Sequence, residues 1–135
     1  RCGDLDPGVP GFVARALGLT LAQIEAALYS DSGLKGLSGE SSDLRIVEKR
    51  AGEGVGAAQL AMQVHAYRVR KYIGAYAAAM GGCDAVAFTG GAGENSAALR
   101  RRIVDGLEFI GLELDEERNR AYSPNTEVAQ LQSSR

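Results

Sequence analysis

Short apolar-periodic stretches alternate with glycine-rich breaks along this chain, and that rhythm predicts helices joined by turns. After a turn-rich opening in which Asp6-Pro7-Gly8 is the sharpest break, Gly11 to Leu17 reads as a short helix. Thr20 and Gln23 stand at capping-box spacing. The helix they start carries Leu21, Ile24, Ala27 and Leu28 on one face and fades over Ser30 to Gly33. Leu34 to Ser42 is polar and rich in Gly and Ser, which predicts a loop. A short helix then runs to about Arg50, capped by Ser41 or Ser42, with Asp43 in its first turn where a negative charge suits the helix dipole. On these grounds alone Asp43 and Arg45 are a cap-region acid and a solvated charge. Beyond a break at Ala51 to Gly56, a long helix is predicted from about Ala57 to Met80. Leu60, Val64, Tyr67, Ile73, Ala77 and Met80 form its apolar face, with Arg68, Arg70 and Lys71 on the solvated side.

The stretch around which the chain is organised runs from Asp84 to Gly111. Ala85 to Thr89 reads as a buried strand, and Gly90-Gly91-Ala92-Gly93 as a turn. A helix follows, capped by Asn95, carrying Leu99, Ile103 and Leu107 on one face and ended by Gly111. Arg100, Arg101 and Arg102 read as its solvated face. A strand, a glycine turn and a helix let backbone approach a ligand closely, and a helix start offers amides and partial positive charge to phosphate. The spacing is not a Walker A loop, since no Gly-Lys-Ser/Thr follows, and Gly91-x-Gly93-x-x ends on Ser96 rather than glycine. A tight turn in any α/β domain explains the unit as well. Further on, Leu112 to Leu114 predicts a short strand, Asp115 caps a brief helix through Asn119, and 123–135 reads as a polar, frayed tail.

The 135 residues are enough for one domain with a proper core. A net charge of -2 gives no reason to expect nucleic acid or an anionic membrane as partner, and no apolar run reaches the length of a bilayer span. Cys2 and Cys83 match no metal or redox motif and read as free thiols in a reducing cytoplasm. His65 has no partner at ligand spacing and reads as an ordinary helix residue. No metal ligand is assigned. Because the first residue is Arg and not Met, the chain is expected to be a piece of something larger.

Five blocks together resemble the C-terminal part of the acetate kinase (acetokinase) family, in its order and spacing. They are RCGDLDP at 1–7, SSDLR at 41–45, AYRVRKYIGAY at 66–76, FTGGAGENS at 88–96 and GLEFIG at 106–111. Propionate kinases share these motifs. The resemblance implies an α/β, ribonuclease-H-like domain over 1–122. That domain is of the superfamily that joins acetate and sugar kinases, heat-shock chaperone ATPases and actin, which close two domains around Mg-ATP. It implies reversible transfer of the γ-phosphoryl group of ATP to acetate, giving acetyl phosphate and ADP, in a cytoplasmic homodimer with Mg2+ as cofactor. Propionate is the alternative acceptor. By position, Arg1 corresponds to the arginine that stabilises the transferring phosphoryl group. Asp43 and Arg45 correspond to a nucleotide-contacting pair, with Leu44 packing near the base. Gly91 and Asn95 correspond to the adenosine pocket, shaped by Gly90 and Gly93. The resemblance moves Asp43 and Arg45 from cap to ligand contact. The family's acid-substrate residues and magnesium-binding glutamate have no counterpart here; Asn125-Thr126-Glu127 stands too early for the latter. The expectation is a nucleotide-binding part, inactive as a kinase by itself, or a non-catalytic nucleotide-binding or dimerisation module.

Overall fold

Side-chain caps at Thr20, Asp43, Ser96 and Asp115 set where four of the helices begin. In the computed structural model, which describes residues 1–123 and 131, the chain divides into two compact units, 1–62 and 63–135. Apart from residues 123 and 131, the expected tail lies outside the described residues.

In the first unit, α1 (Gly8–Leu17) ends at Gly18, whose φ of 65° is the left-handed conformation that glycine adopts without a Cβ clash. The capping box at Thr20 is complete: the Gln23 amide donates to Thr20 Oγ1 at 3.4 Å and the Thr20 amide to Gln23 Oε1 at 2.8 Å. It starts α2 (Leu21–Ala26), which passes into a π-helical turn over Ala27–Asp31. Of the expected face only Ile24 is buried; Leu21 is 74% exposed. The loop expected over Leu34 to Ser42 is largely helix, α3 (Gly33–Ser38). Its closing Ser38 is buried, and its hydroxyl accepts the amides of Glu40 and Ser41, each at 3.3 Å. Local hydrogen bonding by serine thus shapes the turn after the helix rather than a loop before the next one. Asp43 itself, not Ser41 or Ser42, caps α4 (Leu44–Gly52) by accepting the Arg45 amide at 2.9 Å. The core of this unit is Ile24, Val47, Ala51, Ala58, Ala61 and Met62.

The long helix, α5 (Gly56–Met80), has the expected length but buries another face. Ala58, Ala61, Met62 and Ala66 are buried, while Leu60 and Tyr67 are 50% and 58% exposed. Three of the four are alanines, which let neighbouring backbone come close, and hydrophobic size alone misidentified the side that packs.

In the second unit Ala85 to Thr89 is not a strand. Val86 and Phe88 are half-buried and their neighbours exposed, so the two-residue alternation is real. No strand element exists among the described residues for it to pair with, and it forms no regular element. The sheet of the α/β expectation is therefore missing among those residues, and of Leu112 to Leu114 only Leu114 makes an isolated bridge. The glycine turn is itself a helical turn, α6 (Gly90–Asn95). Ser96, not Asn95, caps α7 (Ala97–Val104), with its hydroxyl accepting the Leu99 amide at 2.9 Å. Helix α7 stops at Val104, and a 3-10 turn (Glu108–Ile110) follows, closed by Gly111 at φ 82°. Leu99, Ile103 and Leu107 are buried as the periodicity predicts, each contributing about 1.5–3 kcal/mol of apolar burial. Asp115 caps α8 (Glu116–Ala121) by accepting the Glu117 and Arg118 amides at 3.0 Å.

Candidate nucleotide-binding site

The glycines of α6 differ in what they require. Gly90 has φ 71°, a conformation that a side chain would strain. A Cβ on Gly93 would come within 3.3 Å of the Phe88 carbonyl carbon, so this glycine permits close packing. A Cβ on Gly91 would meet nothing within 4 Å, and its φ is ordinary. The fold needs no glycine there. That open, exposed face is where a flat ligand group could lie on backbone.

The start of α6 does not fit phosphate. Glu94 Oε1 accepts the Gly90 amide at 2.9 Å, so a carboxylate already occupies the first donor and sets its negative charge there. This corrects the sequence argument that the helix start is ready for an anion. The arrangement suits an uncharged part of a ligand better. Asn95, expected as the cap of the next helix, instead donates its Nδ2 to Gly91 O at 2.9 Å and braces the turn from within.

Beneath the turn lies a residue that sequence reasoning misplaced. Arg100 is 2% exposed. Its Nη1 donates to Gly93 O and Glu94 O, both at 2.8 Å, its Nε to Asn119 Oδ1 at 2.7 Å and its Nη2 to Asn119 O at 2.9 Å. Asn119, 1% exposed, also donates Nδ2 to Ala97 O at 2.9 Å. The guanidinium carbon sits 5.1 Å from the Tyr122 ring centroid. Among the described residues no carboxylate pairs with it, and burial pushes the Arg100 pKa down from its ordinary value. Spacing held the clue: Arg100 is flanked on its helix by Leu99, Ile103 and Val104, all buried, whereas Arg101 is exposed and pairs with Glu116 at 2.9 Å. Arg70 also leaves its expected solvated side, donating to the carbonyls of Ile103, at 3.1 Å, and Arg102 at the end of α7.

In the first unit, Asp43 and Arg45 are brought together. Arg45 Nη2 and Nε donate to the two carboxylate oxygens at 2.5 and 3.0 Å. The Arg45 side-chain bonds, then its amide, hold the Asp43 carboxyl down at about 2, and the Arg45 pKa is raised in turn. Arg45 is 90% exposed at its side chain, so the pair can exchange partners. Leu44 beside it is half-buried. Arg1 lies with its guanidinium carbon 4.8 Å from the Tyr29 ring centroid and donates Nη2 to the Tyr29 hydroxyl at 3.1 Å. An open apolar groove of about 480 Å³ adjoins it, walled by Leu21, Ile24, Leu28 and Tyr29.

The sequence profile of the acetokinase family matches residues 1–135. The chain belongs to that family. The acetate kinase of Syntrophobacter fumaroxidans is 49% identical over 119 residues, covering 88% of this chain and 29% of that protein. The crystal structure of Porphyromonas gingivalis acetate kinase superposes with a TM-score of 0.85 at 43% identity, over 95% of this chain and 34% of that one. A propionate kinase structure from Francisella tularensis gives 0.83 at 34% identity, over 88% of this chain and 31% of that one. This acetokinase chain therefore spans about a third of the length of its relatives. Its neighbours carry the fold of the acetate and sugar kinases, of which the described residues hold a helix-rich part.

Proposed function

We propose that this chain supplies the nucleotide-binding part of an acetate kinase, which reversibly transfers the γ-phosphoryl group of ATP to acetate, giving acetyl phosphate and ADP. The observation that carries the reading is the open face at Gly91 within a family match that runs the length of the chain. In this assignment Gly90, Gly91, Gly93 and Asn95 form the adenosine side of the site. Glu94 keeps phosphate away from that turn, so the nucleotide lays its uncharged end there. Asp43, Leu44 and Arg45 contact the nucleotide, Arg45 through an exposed guanidinium that can leave Asp43 for another acceptor. Arg1 stabilises the transferring phosphoryl group, where a planar, permanently charged fork of donors suits the equatorial oxygens.

Magnesium would accompany ATP and neutralise phosphate charge. Among the described residues no three His, Cys, Asp or Glu side chains converge to hold it, and no step rests on it here. The acid-binding residues belong to a part of the family's length outside this chain, so the isolated chain is expected to make no acetyl phosphate. A cytoplasmic homodimer completes the proposal; no single helix among the described residues is long and apolar enough to cross a membrane. The propionate kinase neighbour keeps propionate as the alternative acceptor.

Calorimetric titration with Mg-ADP, beside Gly91→Val, tests the reading. A Cβ there meets no protein atom, so a folded variant that loses binding supports a ligand on that face. Equal binding by both proteins overturns it.

A further inference from the structure

We infer that Arg100 is a positioning residue for nucleotide recognition, holding the ligand-facing turn in shape from behind through a clamp shared with Asn119; this rests on the adenosine reading of that turn. Nothing else described in the unit grips the turn as firmly. No residue of α6 is buried, and it follows a segment, 85–89, that belongs to no regular element. Its own bonds, Glu94 to Gly90 and Asn95 to Gly91, are internal and move with it. Gly93 against Phe88, the Ser96 amide donating to Ala92 O at 3.1 Å and the two bonds of the Arg100 fork tie it to its surroundings.

The fork is well made for this. One nitrogen, Nη1, takes both Gly93 O and Glu94 O, which fixes the two peptide planes that lead into Asn95. The far side of the guanidinium is held twice by Asn119, once through its side chain and once through its backbone. Asn119 is in turn fastened to Ala97 at the start of α7. A rigid planar group with donors on both edges can transmit position in this way; a lysine, with one rotatable ammonium, cannot reach both edges. Arg100 is covered and touches no ligand. Its effect on binding passes entirely through the orientation of the 93–95 backbone.

The test is titration of the chain with Mg-ADP and, separately, with adenosine, comparing wild type, Arg100→Lys and Asn119→Ala well below the melting temperature of each. Both variants are expected to raise the dissociation constant, Arg100→Lys by about tenfold, the scale seen when outer partners of a binding group are removed. The same factor is expected for adenosine as for Mg-ADP, because the turn meets the uncharged end of the nucleotide. A purely structural role would lower the melting temperature and leave the affinity of the folded protein unchanged. If Arg100→Lys does not fold, Asn119→Ala decides by itself: it leaves the arginine in place, and native affinity in it overturns the inference. Wild-type binding with unchanged affinity in both variants overturns the positioning role alone. A wild-type chain that binds neither ligand overturns the adenosine reading and this inference with it.

Discussion

Arg45 in the first unit and Arg100 in the second are the same side chain put to opposite uses. Arg45 reaches back two residues to Asp43, is 90% exposed, and has a partner that water could replace. Arg100 is 2% exposed and spends its donors on four oxygens, three of them backbone carbonyls. An exposed ion pair gains little, because solvent screens it and two long side chains must be ordered. A buried guanidinium is costly to desolvate and stays only because its bonds are satisfied. The comparison separates residues that can meet a ligand from those that can only prepare a place for one. Arg45 is able to change partner. Arg100 is not.

The largest expected effect comes from removing the buried member. Arg100→Met strips four acceptors of their donor and should lower unfolding free energy by about 3–5 kcal/mol in urea denaturation. A loss near zero would mean that the site collapses around the methionine, and the contrast with Arg45 would break. Next is Ser96→Ala, which removes the cap of the helix bearing Arg100; the expected loss is about 1 kcal/mol by thermal unfolding. A smaller effect separates the two regions by pH. Burial lowers the pKa of half-buried His65, so below about 6.5 the unfolded chain takes up a proton that the folded chain refuses. Stability should therefore fall as pH drops from 7 to 5, and His65→Gln should flatten that slope. Asp43 titrates in the same sense but far lower: its contribution is present above the ordinary carboxylate range and is lost as pH falls through about 2. The smallest stability change is expected for Arg45→Ala, with unchanged melting but weaker Mg-ADP binding. Lost stability with intact binding would reverse the roles assigned to the two arginines.

Much of this was legible in the sequence where a local rule decides the outcome. The Thr20 box, the Asp115 cap, the extent of α5 and the buried trio Leu99, Ile103 and Leu107 follow from neighbours three or four residues away. The acetokinase blocks drew attention to the glycine turn, and its geometry then distinguished three glycines that the letters alone leave equal. What stayed hidden depends on distant partners. Ala85 to Thr89 has a strand's alternation, yet strand formation needs another strand, and none is described here. Leu60 and Tyr67 look like core, but the side of α5 that packs is chosen by what lies against it. Arg100 was hidden by its company: three arginines in a row read as a solvated face, although its place among Leu99, Ile103 and Val104 assigns it to the apolar side.

The reach of the Arg100 clamp along the chain also orders events in time. Two of its bonds reach back six and seven residues, while those to Asn119 span nineteen. Short loops close sooner than long ones, since fewer residues must lose their freedom before the contact is rewarded. Helices α6 and α7 can therefore meet early, but the clamp cannot shut until α8 arrives. On a ribosome, the glycine turn would stay loose until residue 119 had been made and had cleared the exit tunnel.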